Sequence, residues 1–365
     1  MLSVRQARFA LTPFAHVMKL VRPAKRSKLI THLPTRSVAI RGLFFASTLC
    51  VTLLVPNYAS AQITAWGNYA YGQLDVPTGT DFTAISGGAN IGLALRSNGS
   101  IAAWGYDGQN AVSGAPTGTG FTAIAAGDSY GLGLRADGSI AAWGYNTSYN
   151  TVHSTPTGTG FIAIAAGGDT GYALRADGSI TAWGAGNEGE ISLAPSGTGF
   201  TAISGGANTG YALRNGVVFA WGYDGQREVS DAPIGGGFTA ISGGYYNGFA
   251  LRSDGSIAAW GYDGFGHAVS GAPTGTGYKA ISGGGQTGYA LRADGSIAAW
   301  GYDGHGEVSN VPTGTGFTSI SGGSVSAYAM KSAGTSSSTP EPGAVAMLSG
   351  VGVAGSLLFF RKRRK

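Results

Sequence analysis

The chain has 365 residues, of which 65 are glycine and one is cysteine, and carries 23 Lys+Arg against 18 Asp+Glu for a formal charge of +5. That charge does not point to a nucleic-acid partner, because nine cations lie in the first 41 residues and five more form the run Arg361–Lys365, leaving a middle with a net charge of about −8 that a phosphate backbone repels. Outside the leader there is no cysteine, so disulfides, thiolate metal sites and cysteine nucleophiles are excluded together.

Residues 1–61 read as a secretory signal. A basic region is followed by the short apolar run "GLFFASTLCVTLLVP" and by the small-x-small site Ala59-Ser60-Ala61, so signal peptidase is expected to cut after Ala61. The basic region is long, and Met1 and Met18 both stand as starts. Cys50 lies in "STLCV", with no small residue immediately before it, which argues against a lipid anchor.

From residue 62 to 334 the chain repeats. The seven tryptophans, Trp66, Trp104, Trp143, Trp183, Trp221, Trp260 and Trp300, each sit in an "AWG" context at spacings of 38, 39, 40, 38, 39 and 40. A second marker, "FTAIS" or a variant, begins at Phe82, Phe121, Phe161, Phe200, Phe238, Tyr278 and Phe317. Within a unit, "FTAIS", "GYALR" and "VVFAWG" have the aromatic and β-branched content of strands, and "REVS" at 227–230 suggests a short fourth. Asn-Gly or Asp-Gly joins the second and third strands in six units, which makes that connection an antiparallel hairpin. Three or four antiparallel strands per 39 residues fit a blade of an all-β, seven-bladed propeller. The first unit begins at its "AWG" strand and the last lacks one, so the N- and C-terminal strands should pair and close the ring.

The repeat "AISGG...GYALRADGSIAAWG" resembles that of the regulator of chromosome condensation propellers, in a short bacterial form similar to the propeller-type β-lactamase inhibitory proteins. The resemblance implies a ring that binds proteins with the loops of one face. In the inhibitors, bulky aromatics fill the loop between the "AISGG" and "YAL" strands; here only Tyr130, Tyr245 and Tyr246 match in kind. The end of the chain resembles a PEP-CTERM sorting signal. After a Ser/Thr linker at 335–339 come Pro340-Glu341-Pro342, the uncharged stretch 343–360, long enough for a transmembrane helix, and the terminal cations. That resemblance implies transient anchoring in the inner membrane, cleavage by an exosortase near the tripeptide, and delivery to the envelope or exopolysaccharide matrix of a Gram-negative bacterium. An ordinary C-terminal anchor is the alternative.

Candidate binding residues concentrate in the loops after each tryptophan. Tyr106-Asp107-Gly108, Tyr223-Asp224-Gly225, Tyr262-Asp263-Gly264 and Tyr302-Asp303-Gly304 each pair an aromatic face with a carboxylate, which suits a sugar ring, and repetition round a ring suits a polymer. The competing reading is a turn whose tyrosine packs between blades. The tryptophans read as packing residues. The sevenfold set Arg96, Arg135, Arg175, Arg214, Arg252, Arg292 and Lys331 reads as structural, since most units carry Asp two residues later. No loop offers the acidic series of a strong calcium site, and no metal or cofactor is implied. His153, His267 and His305 lie on different units and Glu188/Glu190 reads as a solvated loop, so no nucleophile, base and orienting group assemble. The sequence thus points to an exported, monomeric, non-catalytic propeller that binds extracellular polysaccharide or, alternatively, a protein such as a secreted or periplasmic enzyme; a polysaccharide lyase or hydrolase is the weaker alternative.

Overall fold

The computed structural model describes residues 61–332 apart from 147, 148 and 265; the leader, the linker and the sorting segment expected from sequence lie outside the described residues. Each repeat folds into three antiparallel strands, and the strand nearest the ring axis is the one that starts the "FTAIS" marker. The first such sheet is β2 (Phe82–Gly87), β3 (Ile91–Arg96) and β4 (Ile101–Gly105). Next come β5 (Phe121–Ala126), β6 (Tyr130–Arg135) and β7 (Ile140–Gly144), then β8 (Phe161–Ala166), β9 (Thr170–Arg175) and β10 (Ile180–Gly184). These are followed by β11 (Ala202–Gly205), β12 (Thr209–Arg214) and β13 (Val217–Gly222), and by β14 (Phe238–Gly243), β15 (Asn247–Arg252) and β16 (Ile257–Gly261). The sixth is β17 (Tyr278–Gly283), β18 (Thr287–Arg292) and β19 (Ile297–Gly301).

The seventh sheet is closed by both ends of the described chain. Its inner and middle strands are β20 (Phe317–Gly322) and β21 (Ser326–Ser332), and its outer strand is β1 (Ala61–Gly67), paired from Ala61 opposite Ser332 to Gly67 opposite Ser326. Each sheet packs on the next, and β2 packs on β20 and β21, so the seven three-stranded sheets close in the arrangement of a seven-bladed propeller. The expected fourth strand is absent: Arg227–Ser230 forms turns, because Arg227 adopts φ 66° and the Val229 and Ser230 amides are taken by the Asp224 carboxylate instead of a neighbouring strand.

The hairpins between middle and outer strands take two forms. Asn215 and Gly216 both have positive φ, 55° and 72°, which gives a two-residue connection from Arg214 to Val217. At Asp137-Gly138 only the glycine is left-handed, and the aspartate side chain accepts the Ser139 N–H and hydroxyl. The core is divided among the junctions between sheets: one cluster, for example, joins Ala202, Tyr211 and Leu213 to Phe238, Ile241 and Trp260 of the following sheet. Serine seals the same junctions on the axial wall. Ser86, Ser204, Ser242, Ser282 and Ser321 each accept the backbone N–H of a residue in the next inner strand.

Candidate functional site

All seven tryptophans are structural. Each indole Nε1 donates to a backbone carbonyl of a neighbouring loop: Trp66 to Glu307, Trp104 to Gln73, Trp143 to Ala111, Trp183 to Thr151, Trp221 to Glu190, Trp260 to Glu228 and Trp300 to Ala268. Six of the rings lie over a middle-strand glycine; a Cβ on Gly210 would come 2.2 Å from the Trp221 ring. Glu190 corrects the sequence reading of a solvated loop, since it is buried and its carboxylate accepts the Glu188 N–H.

The sevenfold cations are structural too, but their partners are rings and not the hairpin aspartates. Arg96, Arg135, Arg175, Arg214, Arg252, Arg292 and Lys331 stand 4.1–5.2 Å from the ring centroids of Phe82, Phe121, Phe161, Phe200, Phe238, Tyr278 and Phe317. The aspartates are engaged by the hairpin serines, and the one hairpin-face ion pair among the described residues joins Arg96 to Asp81.

The Tyr-Asp-Gly loops leave the outer strands on the opposite face, where the amides of Tyr106, Tyr223, Tyr262 and Tyr302 bond to Asn90, Asn208, Tyr246 and Gln286 in the loops between inner and middle strands. Each triplet has an internal logic. The aspartate Oδ1 accepts two backbone amides farther along: Val112 and Ser113 at Asp107, Val229 and Ser230 at Asp224, Val269 and Ser270 at Asp263, Val308 and Ser309 at Asp303. The amides of Ser113 and Val112 hold the Asp107 carboxyl below its ordinary value, and those of Ser309 and Val308 do so at Asp303. The tyrosine ring lies over the glycine two residues on, where a Cβ would meet ring or hydroxyl atoms at 2.0–2.2 Å. These contacts still leave Tyr106 45 % and Tyr302 38 % exposed, while Tyr223 and Tyr262 are half-buried.

The three tyrosines of the inner–middle loops separate. Tyr130 is buried and its hydroxyl donates to the Thr170 carbonyl at 2.8 Å, so it belongs to the core and offers no face to a ligand. Tyr245 and Tyr246 stand at the surface in edge-to-face contact, 4.7 Å between centroids, and Tyr246 in turn meets Tyr262 at 6.1 Å. A second pair, Tyr71 and Tyr106, lies at 5.3 Å on the same face.

This face opens into an axial pit of about 70 Å³ walled by small residues from every inner strand. Asp128, Tyr245 and Ser324 are its polar side chains, and Asp169 lies close enough to act on Asp128 and Tyr245. Burial first, and then Asp169, pushes Asp128 up to about 6; burial also raises Asp169, and burial followed by Asp128 raises Tyr245. No hydrogen-bond donor among the described residues meets the Asp128 side chain. Sequence reasoning missed these aspartates, although a signal was present: both follow "AIAAG" where five other units read "SISGG" or "AISGG". Ala125 and Ala165 thus remove the sealing serine at the two junctions beside the acids.

The three histidines remain apart. His153 Nδ1 bonds to Asn146 Nδ2 and His305 lies beside Tyr302, with no cluster of three His, Cys, Asp or Glu able to hold a metal among the described residues.

The family model "Regulator of chromosome condensation (RCC1) repeat" matches residues 121–150, and the "PEP-CTERM protein-sorting motif" matches residues 338–364. The chain thus carries an RCC1 repeat and a C-terminal PEP-CTERM sorting motif, on a propeller fold that it shares with yeast RCC1. The motif implies an exported, cell-surface protein of a Gram-negative bacterium that is processed by an exosortase.

Solved propellers share the fold at low identity. Prp20p from Saccharomyces cerevisiae is 16 % identical with a TM-score of 0.61, covering 75 % of this chain and 92 % of that one. Human WBSCR16 is 13 % identical with a TM-score of 0.62, covering 74 % and 99 %. The ectodomain of the receptor kinase CR4 from Physcomitrella patens is 23 % identical with a TM-score of 0.53, covering 66 % and 67 %. These likenesses concern the fold alone. No curated protein matches the chain.

Proposed function

We propose that this exported RCC1-repeat propeller is a non-catalytic binding module of the cell envelope or exopolysaccharide matrix, and that it holds extracellular glycan with the tyrosines of its pit face. The observation that carries the reading is the meeting of two separately identified sets, Tyr245/Tyr246 and the Tyr-Asp-Gly loops, on one surface, where Tyr246 touches Tyr262. Aromatic faces fixed by their own loops are pre-organised for stacking on sugar rings, and their recurrence round a ring suits successive units of a polymer. The aspartates of the loops act on backbone amides, so the reading gives them a positioning role.

A protein partner is the second reading. It is favoured by the axial pit, where Asp128 and Tyr245, with Asp169 nearby, occur once per ring and suit a single cationic side chain better than a repeating polymer.

Titration of the purified propeller with the producing organism's exopolysaccharide tests the glycan reading. Saturable binding weakened at least about tenfold, or about 1.4 kcal/mol, by Tyr106→Ala with Tyr302→Ala, and unaffected by Asp128→Asn, is the expected result. Absence of saturable binding to the polysaccharide refutes the glycan reading.

A further inference from the structure

The two faces of the ring differ in charge and in what leaves from them. On the hairpin face stand the seven stacked cations together with Lys279, whose Nζ reaches the Ala293 carbonyl, eight cations against Asp81 and the hairpin aspartates Asp137, Asp177, Asp254 and Asp294. The pit face carries Asp107, Asp128, Asp169, Asp224, Asp263 and Asp303, and the cation of its loops, Arg227, is ion-paired with Asp231. The stacking on phenyl rings holds the guanidinium groups at fixed places round the hairpin face without neutralising them.

Both ends of the propeller leave from that same face. Lys331 occupies in β21 the place that Arg96 occupies in β3, so Ser332 lies where the other sheets turn their hairpins, and Ala61 is paired directly opposite it. Ten residues, 333–342, separate Ser332 from the uncharged stretch that begins at Gly343. Ten residues span at most about 35 Å.

We propose that, while the sorting segment is anchored, the hairpin face rests on anionic phospholipid headgroups and the pit face points away from the membrane. This rests on reading residues 343–360 as a membrane anchor. The tether supplies a high local concentration of the propeller at the bilayer, so the charge difference between faces has only to orient the ring and not to recruit it. Attraction to an anionic surface decays within about 10 Å at moderate salt, a range that admits the hairpin tips and excludes the opposite face. Orientation of this kind presents the tyrosines and the axial pit to the exterior before the exosortase releases the protein.

The test uses the exported chain, from residue 62 to its C-terminus, reconstituted into vesicles of phosphatidylcholine with or without one quarter phosphatidylglycerol. That chain lacks Cys50, so single cysteines report position. Ala136→Cys and Ala293→Cys mark exposed sites on the hairpin face, and Ala70→Cys an exposed site on the pit face. A membrane-impermeant maleimide is expected to label the two hairpin-face sites at least about threefold more slowly on the anionic vesicles than on the neutral ones, and high salt should abolish the difference. Ala70→Cys should label equally on both. Lys279→Glu, an exposed change outside the stacked pairs, should reduce the protection without disturbing the fold. Equal labelling of the hairpin-face sites on anionic and neutral vesicles, by a chain that floats with both, overturns the inference alone, whereas failure to float overturns the anchoring reading and the inference with it.

Discussion

Two positions of each repeat vary together inside this one chain. The first is a middle-strand residue; the second is the loop residue whose carbonyl receives the indole N–H of the next sheet's tryptophan. Tyr172, Tyr211 and Tyr289 accompany Glu190, Glu228 and Glu307, and Tyr328 accompanies Gln73, while Leu93, Leu132 and Phe249 accompany Ala111, Thr151 and Ala268. A buried phenol and a buried carboxyl each need a polar neighbour, and an apolar residue there needs neither. Burial and then the nearby Glu228 carboxyl raise Tyr211, and Glu190 and Glu307 act likewise on Tyr172 and Tyr289. Tyr211→Leu and Glu228→Ala should therefore each destabilise the ring, and the double variant should cost about 0.5–3 kcal/mol less than the two together. Denaturant titration of the four proteins measures this, and strict additivity would show that the residues do not communicate.

Among the elements, the strands were legible because a marker repeated seven times averages out the accidents of any one unit. Period, hairpin glycines and the missing outer strand of the last unit together pointed to three strands per sheet, with a fourth left open, and to closure by β1. The fourth strand failed because "REVS" has strand-like composition, yet the Asp224 side chain captures the amides that a strand would use. The Tyr-Asp-Gly triplets were legible as loops, but the role of their aspartates was not, since the carboxylate that suggests ligand chemistry is the one that shapes the turn. Asp128 and Asp169 were missed for the opposite reason: the pit depends on seven chain segments meeting on an axis, which no local pattern displays. Their cost is testable. A carboxyl raised from 3.8 to about 6 holds its proton more tightly in the folded state, so its stabilising effect is complete below about pH 4 and is lost as pH rises to about 6. Asp128→Asn should raise stability at pH 7 by on the order of 1–3 kcal/mol and leave it nearly unchanged at pH 4. An equal gain at both pH values would assign the effect to packing.

At the scale of the whole ring, the closing sheet is the one place where continuity of the chain is replaced by strand pairing. The tryptophan of that sheet keeps the contacts of the others: Trp66 donates to the Glu307 carbonyl as the other tryptophans do to theirs, and it meets Tyr289 at 5.7 Å as Trp221 meets Tyr172. If pairing alone suffices, the site of the break is arbitrary. In the covalent hairpins five residues, Arg135 to Ser139, separate the paired Leu134 and Ile140. Met330 and Ile63 are paired in the same way, so an Asp-Gly bridge from Ser332 to Gln62 restores the spacing and replaces Ala61. A chain permuted in this manner, and opened instead between Asp177 and Gly178, should unfold in a single cooperative transition with a Tm within about 5 °C of the original order, since the change is equivalent to moving one nick by three blades. Thermal unfolding of the two proteins decides the point. A permutant that unfolds in stages or aggregates would mean that the exposed edge of an opened sheet is protected at β1 by something its hydrogen bonds do not supply.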